Sequence, residues 1–164
     1  MQWRQVNNSL WLTNQSVRLI SLLLNSYEKA FDESLLSSSS NKIKSNRHKA
    51  AILFTMPHPV IAHDNAKDPC IKYANAAALH LWSRCWDEMI GMPSRLTAPE
   101  KERAKRQEAL LNVSEKHVLE NYEGVRVNSK GDYFIIKNAR IWTIWDEHNM
   151  IYGQAATFAD WCRI

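Results

Sequence analysis

The last 43 residues, Tyr122 to Ile164, constrain the fold of this chain more than any other stretch. Short turn segments, Ser129–Gly131 and Asp146–Asn149, divide them into β-rich runs. The three runs are Tyr122–Asn128, Asp132–Trp145 and Tyr152–Phe158. Runs of this length that are separated by short polar turns favour an antiparallel meander. The sequence therefore predicts a three-stranded antiparallel platform in the C-terminal part.

The middle run carries bulky apolar side chains on both of its alternating sets, whereas a face open to water would be polar. Strict alternation assigns to one face Phe134, Ile136, Asn138, Arg140, Trp142 and Ile144. It assigns to the other face Ile135, Lys137, Ala139, Ile141, Thr143 and Trp145. We therefore expect small helices on one face of the sheet and an N-terminal helix or a partner on the other.

Two shorter strands and a first helix are predicted upstream of the meander. The strands cover Pro59–His63 and Cys70–Tyr73, on either side of a polar turn. Asn75 is a suitable N-cap for a helix over Ala76–Trp82, because its side-chain oxygen can accept from the unpaired N–H groups of the first turn.

Two further helices are predicted before the meander. Trp86–Ile90 is short and is expected to stop at Gly91. Thr97–Glu100 has the spacing of a capping box and would open a long helix that runs to about His117. The residues expected on the inner face of the long helix are Ala104, Leu111 and Val118.

The N-terminal part is predicted to be a helical extension. Apolar residues recur at three- and four-residue steps through Gln15–Leu36, which indicates an amphipathic helix. Ser37–Ser45 is serine-rich and polar, as expected of a linker, and Ala50–Met56 is a short apolar helix. We therefore divide the chain into an extension and linker over residues 1–49 and a main domain over residues 50–164.

Together these segments predict an α+β fold. Its centre is a curved antiparallel five-stranded sheet with short helices on one face and the N-terminal amphipathic helix beside it. A chain of 164 residues with 45% hydrophobic residues can bury such a core without disulfides or metals.

The composition also narrows location and chemistry. No run of about 18 apolar residues exists to span a bilayer, so no membrane association is expected. The N-terminus lacks the apolar core of a signal peptide, and we expect a cytoplasmic protein. Cys70, Cys85 and Cys162 are widely spaced, so they are expected to be reduced thiols and no metal site is predicted.

The net charge of +4 is mild, and its distribution matters more than its sum. One basic cluster lies between Lys42 and Lys49, and another lies between Lys101 and Arg106. Glutamates interleave the second cluster, which favours a solvated helix face over nucleic-acid binding.

Several short motifs occur in one order between about Leu22 and Trp161. They are Leu23-Leu24 with Ser26-Tyr27, Leu53-Phe54, Pro57 with Pro59-Val60, His63-Asp64, Asp68-Pro69, Ile71, Tyr73, Asn75, Ala77-Ala78-Leu79, Trp86, Pro93-Ser94-Arg95, Tyr122 with Gly124-Val125-Arg126, and Gly153 to Phe158 with Trp161. In this order they resemble the MEKHLA domain, a PAS-like module of bacterial proteins and of some plant homeodomain–zipper transcription factors. The segments after Arg95 and at Ser114–His117 depart from the pattern. The resemblance implies a sensory or interaction role and no defined ligand.

A PAS-like sheet often encloses a small cavity, so the resemblance also implies a candidate site. Its lining is expected to draw on His63, Asn75, Trp82, Arg95, Tyr122, Trp142 and Gln154. The cofactor is unknown. Haem-binding PAS domains use a helical histidine, and His117 lacks a supporting pattern. Flavin-binding relatives use a glutamine on the last strand, like Gln154, with a reactive Asn-Cys-Arg motif that Ser83-Arg84-Cys85 does not match.

The charged candidates each have a structural alternative. His63 could donate to a ligand or be satisfied by neighbouring backbone. Arg95 could clamp an anion, or tie its loop to carbonyl groups, Asp64 or Glu88. Arg126 and Arg140 are expected to pair with acids at a surface or interface, because a cavity-facing arginine is costly without a partner.

Two hypotheses of function remain open. No nucleophile elbow, phosphate loop or zinc-protease motif occurs, so no enzyme is predicted. The leading hypothesis is a sensory module that binds a small molecule and relays it through a homodimer or partner contact at the N-terminal helix and outer sheet face. The alternative is a protein-interaction module with a filled core and no ligand.

Overall fold

The computed structural model describes residues 10–36 and 45–164, so the predicted linker and the first nine residues lie largely outside the described part. Its elements in chain order are α1 (Asn14–Phe31), α2 (Asn46–Thr55), β1 (Val60–Asp64), β2 (Ile71–Ala74), α3 (Ala76–Leu81), α4 (Trp86–Met89), α5 (Arg103–Lys116), β3 (Val118–Val127), β4 (Tyr133–Trp145), β5 (Ile151–Thr157) and β6 (Asp160–Arg163). Short 3₁₀ turns at Leu10–Leu12, Ser94–Thr97 and Glu100–Glu102 complete the described part. The predicted α+β class is confirmed.

The sheet is antiparallel throughout, with the strand order β2-β1-β5-β4-β3. Strand β6 was not predicted from the sequence, and it pairs with the first half of β4 through Phe134↔Arg163 to Lys137↔Asp160. β4 has 13 residues and β5 only seven, so β5 pairs with only part of β4. After a break at Phe158 and Ala159, the chain continues as β6 alongside the rest of β4. The predicted five-stranded platform is therefore present, and its last strand runs further than expected.

Strict alternation along β4 was a wrong expectation, because the strand contains a bulge. Asn138 has a φ of 52° and Asn121 on β3 has a φ of 56°. The pairing of β3 with β4 shifts by one residue between Leu119 and Tyr122 and shifts back between Tyr122 and Gly124. Asparagine tolerates a left-handed conformation better than most residues, and an extra residue moves every later side chain to the opposite face. Phe134 and Ala139 consequently belong to one core, whereas Trp142 belongs to the other.

Each face of the sheet carries its own hydrophobic core. On the outer face, Trp142 and Ala155 of the sheet pack with Leu23 of α1 and Leu53 of α2. On the inner face the aromatic and aliphatic core residues are Ile71, Ala74, Ala78, Leu81, Trp82, Met89, Phe134, Ile136, Ala139 and Phe158. The prediction that both faces are covered is confirmed.

Helix α1 covers the outer face within the same chain. Its N-cap is Thr13, whose hydroxyl oxygen accepts from the N–H of Ser16 at 3.1 Å. The Trp142 indole N–H donates to the carbonyl oxygen of Leu23 at 3.2 Å, and the Trp145 backbone N–H donates to Ser26 Oγ at 2.9 Å. These contacts join α1 to β4 through one buried and one partly buried hydrogen bond as well as apolar packing.

Helix α5 lies across the inner face, and two expectations about it were wrong. The capping box does not form, because the Thr97 hydroxyl donates to the Ser94 carbonyl at 2.7 Å and the helix begins only at Arg103. Leu111 is 58% exposed, whereas Val113 is fully buried. The helix is therefore rotated from its predicted orientation, Ala104 is exposed, and Val118 belongs to β3.

Candidate functional site

Two adjoining hollows lie between α5 and the inner face of the sheet. The inner cavity, enclosed by Trp82, Tyr122 and Phe158 among others, has a volume of about 40 Å³. The outer cleft, between α5 and the loop that joins β1 to β2, has a volume of about 290 Å³. Four side chains line both hollows: His63, Arg106, Leu110 and Gln154. We call the larger hollow the α5 cleft.

His63 stands on β1 at the boundary between the two hollows. Its Nδ1 lies 2.8 Å from the Asp64 carbonyl oxygen, which can only accept, so the ring proton is on Nδ1. Nε2 is therefore a hydrogen-bond acceptor, and it is buried without a partner among the residues that the structure describes. Burial lowers the pKa of His63 to about 4, and the nearby charge of Arg106 acts in the same direction, so the ring is neutral near pH 7.

Gln154 on β5 is the direct pairing partner of His63. Its Nε2 donates to the Leu110 carbonyl oxygen at 3.0 Å and to Ser114 Oγ at 3.3 Å, which joins α5 to the sheet. The carbonyl of Leu110 fixes the amide orientation, since a carbonyl oxygen turned toward it would be repelled. Gln154 Oε1 is then a second buried acceptor that has no partner within residues 10–36 and 45–164, on the residue paired with His63.

Tyr122, Gly124 and Arg126 form one stripe on β3. A Cβ atom at Gly124 would lie 2.6 Å from the Tyr122 hydroxyl oxygen and 2.8 Å from Arg126 Nη1. The missing side chain therefore lets Arg126 reach across to Tyr122, whose hydroxyl accepts from Nη2 at 3.2 Å. Arg126 is buried, donates also to the Val125 carbonyl, and pairs with no acid among the described residues. The expectation of an acidic partner was wrong for Arg126, whereas Arg140 pairs with Glu33 and Glu120 as predicted.

Arg106 is the functional candidate that the sequence analysis missed. It projects from α5 toward both hollows, and it makes no ion pair within residues 10–36 and 45–164. Burial and the charge of Arg126 lower its pKa to about 10, so it remains a cation. The basic cluster on α5 is thus not one solvated face: Lys101 and Lys105 are exposed, whereas Arg103 and Arg106 line the cleft.

A signal for Arg106 was present in the sequence. Arg103 and Arg106 are spaced at three- and four-residue steps from Leu110 and Val113, so all four share one helix stripe. An arginine within the apolar stripe of a helix is expected to face a cavity or a partner.

The rim of the α5 cleft carries further polar groups. Arg95 pairs with Asp68 at 3.3 Å, rather than with Asp64 or Glu88, and both side chains are about half exposed. Arg103 Nε donates to the Ala98 carbonyl oxygen at 3.2 Å. Ser94 Oγ is buried and has no partner in the described part of the chain.

The seven predicted lining residues separate into three groups. His63, Trp82, Tyr122 and Gln154 line the inner cavity, and Arg95 joins His63 and Gln154 in the α5 cleft. Asn75 is elsewhere: its oxygen accepts from the N–H groups of Val60 and Ala78, and its amide donates to the Leu53 and His58 carbonyls. Trp142 lies in the outer core, because the bulge at Asn138 turns it away from the cavity.

Other sites considered from the sequence have ordinary surroundings. His117 ends α5 with a φ of 66°, and its Nδ1 lies 3.0 Å from Thr143 Oγ1. The three cysteines are free thiols, and Cys85 and Cys162 are exposed. Within the described residues, no group of three or more His, Cys, Asp or Glu side chains is arranged to hold a metal, and none of the helices there is long and apolar enough to cross a membrane.

Comparison with known proteins agrees with this architecture. The chain is similar to a PAS domain from Colwellia psychrerythraea, with a TM-score of 0.62, 14% identity, and coverage of 70% of this chain and 94% of the other. It is also similar to a light-oxygen-voltage domain studied with a flavin analogue, with a TM-score of 0.57, 17% identity, and coverage of 71% of this chain and 84% of the other. For the light-state dimer of the fungal blue-light photoreceptor Vivid, the TM-score is 0.52 and the identity 18%, with coverage of 64% of this chain and 78% of the other.

Sequence comparison supplies the family. No curated protein matches the chain. The family model of the MEKHLA domain matches residues 17–163, from the first turn of α1 to the end of β6. The match covers most of the chain and includes every residue of the α5 cleft. This chain therefore belongs to the MEKHLA domain family, and its fold is that of a PAS domain.

Proposed function

We propose that this MEKHLA domain is a sensory module that binds a small molecule in the α5 cleft and relays binding to α1. The observation that carries the proposal is the lining shared by His63 and Gln154, which are paired across β1 and β5 and leave two buried acceptors without a partner among the described residues, at the boundary between the cleft and the inner cavity. Buried polar atoms without partners are rare in folded proteins and are costly. A bound molecule with hydrogen-bond donors would remove that cost.

The relay would pass through β5. Gln154 faces the cleft, and the next residue, Ala155, faces α1 in the outer core. A ligand that changes the contact between Gln154 and α5 would alter β5 and, through the pairing of Ala155 with Trp142, also β4, the strand that binds α1. It would so bias how α1 and residues 1–49 meet a dimer or partner surface. In this proposal the extension over residues 1–49 is the output element and residues 50–164 form the receiver.

The test is a thermal-shift and native mass spectrometry screen of the whole chain against a fractionated small-molecule extract. Gln107→Trp should block the α5 cleft, whereas Glu108→Trp makes the same enlargement on the adjacent exposed position outside it. We expect an added mass and a raised melting temperature for the wild type and Glu108→Trp, and a reduced response for Gln107→Trp. Equal responses in both variants would place binding elsewhere.

A second candidate function, a protein-interaction module without a ligand, also has an observation in its favour. The inner cavity of about 40 Å³ is far smaller than pockets that hold drug-sized molecules. In addition, β6 pairs with β4 alone among the described strands and exposes Trp161 beside Tyr133 and Ile164. Such an edge can pair with another chain.

The mass of the full chain in solution separates the two candidates. A stable dimer that is lost in Trp161→Ser, together with no response to any extract fraction, would favour the interaction module. A ligand response that is unchanged in Trp161→Ser would favour the sensor. Met150→Ser is the matched control, because Met150 is also exposed and lies in the turn before β5.

A further inference from the structure

We infer that the α5 cleft takes a small organic anion, a carboxylate or a phosphate ester, that also carries hydroxyl groups. The inference rests on the proposed function and names its ligand class. Three observations on the described residues carry it: the positive charge of the lining, the absence there of an acidic partner for Arg106, and the two buried acceptors that have no partner there.

The charge of the lining favours an anion. Lys67, Arg95, Arg103 and Arg106 face the α5 cleft, and Asp68 is the one carboxylate among its lining residues. Asp68 lies 3.3 Å from Arg95, so the attraction of that carboxylate falls mainly on Arg95. The remaining three cations have no acid among the lining residues. A recess lined by one sign of charge concentrates small ions of the opposite sign.

Arg106 shows where the anionic group would bind. It lines both hollows, and the two largest influences on its pKa, burial and the like charge of Arg126, both disfavour the cation. A half-buried arginine beside another arginine is destabilising unless an anion balances it. Guanidinium groups bind carboxylate and phosphate through two parallel hydrogen bonds. We therefore place the anionic end of the ligand against Arg106 and Arg103.

The opposite end of the ligand must supply hydrogen bonds rather than accept them. His63 Nε2 and Gln154 Oε1 are both acceptors, because the Asp64 and Leu110 carbonyls fix the donor end of each side chain. An anion with no donor would leave these two atoms unsatisfied, and an ammonium group would meet the field of the arginines. Hydroxyl groups satisfy both conditions. Ser94 also lines the cleft, and its buried Oγ, which has no partner among the described residues, is a further partner for a hydroxyl.

The test uses four probes that separate charge from hydroxyl groups. Glycerate and glycerol 3-phosphate carry both, propionate carries charge alone, and glycerol carries hydroxyls alone. Nuclear magnetic resonance titration of the whole chain, read at the Gln154 side-chain amide, gives a dissociation constant for each probe. We expect both hydroxylated anions to bind about tenfold or more tightly than propionate or glycerol, as the loss of a charged or buried hydrogen bond implies. The two anions also show whether carboxylate or phosphate is preferred.

Matched variants locate the charge. Arg106→Gln removes a cation from the cleft, and Lys105→Gln removes one from the adjacent residue, whose side chain is 81% exposed. We expect Arg106→Gln to weaken glycerate binding about tenfold and Lys105→Gln to leave it nearly unchanged. Arg103→Gln is a second cleft variant in case Arg106→Gln alters folding, which circular dichroism would reveal.

Each contrary result overturns a defined part of the inference. Equal affinity for glycerate and glycerol would show that the anionic group is not recognised. Equal affinity for glycerate and propionate would show that the hydroxyl groups are not recognised. No response to any probe would reject the ligand class. If an extract fraction still raised the melting temperature of the wild type but not of Gln107→Trp, the sensory function would stand with a different ligand. If no fraction raised the melting temperature of the wild type in this way, both the sensory function and the inferred ligand class would be rejected.

Discussion

At the scale of single residues, the site is defined by polar groups that local backbone contacts hold in one orientation. The Asp64 carbonyl holds His63 through Nδ1, and the Leu110 carbonyl holds Gln154 through Nε2. In both cases the remaining polar atom of the side chain is a buried acceptor without a partner among the described residues. The orientation is thus set by the fold before any ligand arrives, which reduces the entropic cost of binding.

The burial of His63 predicts a specific loss of stability in acid. The pKa of His63 is lowered from 6.5 to about 4, so between these values the unfolded chain binds a proton that the folded chain does not. The free energy of unfolding should therefore fall as the pH falls through this window, by about 3 kcal/mol in total. His63→Gln should lack this part of the pH dependence, as measured by urea denaturation near pH 7 and near pH 4. His58→Gln, at an exposed position, is the control and should behave like the wild type.

Gly153 predicts a steric failure next to the same site. A Cβ atom there would lie 1.9 Å from the His63 carbonyl oxygen, an approach that β1 and β5 could relieve only by separating. We expect Gly153→Ala to lower the free energy of unfolding by about 2–3 kcal/mol. At Gly131 a Cβ atom would meet nothing within 4 Å, and Gly131→Ala should cost only the strain of its φ of 85°, about 1 kcal/mol. A cost at Gly153 no greater than at Gly131 would contradict the close pairing of β1 and β5.

At the scale of elements, α5 is held to the sheet by a few contacts. Gln154 binds its third turn, and His117 at its end contacts Thr143. Gln154→Leu removes both donors to α5, at a local cost of about 1–2 kcal/mol. Amide hydrogen exchange in α5 should then be faster while that of β4 is unchanged. Gln107→Leu, an exposed change on α5 itself, should leave the exchange rates as they are.

Helix α1 is predicted to be part of the core rather than an independent arm. Leu23 of α1 is fully buried against the outer face of the sheet. Leu23→Ala should therefore destabilise the whole chain by about 2–5 kcal/mol in thermal or chemical unfolding. Leu111→Ala, the same substitution at a 58% exposed position, should have little effect. Separate melting of α1 before the sheet would contradict a shared core.

Elements with local signals could be predicted from the sequence, and those that depend on distant pairing could not. Asn75 caps α3 as expected, because an N-cap needs only its own side chain and the next three residues. The bulge at Asn138 could not be foreseen from alternation, because it depends on the pairing of β3 with β4. The same bulge explains why Trp142 lies outside the candidate site. Arg106 was missed because interleaved glutamates suggested solvent, although the helix stripe it shares with Leu110 indicated otherwise.

At the scale of the whole molecule, the sheet separates a receiving face from an output face. The α5 cleft lies on the inner side and α1 on the outer side, with β5 between them. Neighbouring residues of one strand, Gln154 and Ala155, contact the two sides. The proposed function therefore requires energetic coupling between the two faces: binding in the cleft must change the conformation or stability of α1.

Amide hydrogen exchange of the whole chain, with and without the small-molecule fraction that raises its melting temperature, measures that coupling most directly. The account predicts altered exchange in α5 and also in α1 on the opposite face, with both changes reduced in Gln107→Trp and retained in Glu108→Trp. Unaltered exchange in α1 when α5 is protected would contradict the relay. Unaltered exchange in both helices would contradict the α5 cleft as a binding site.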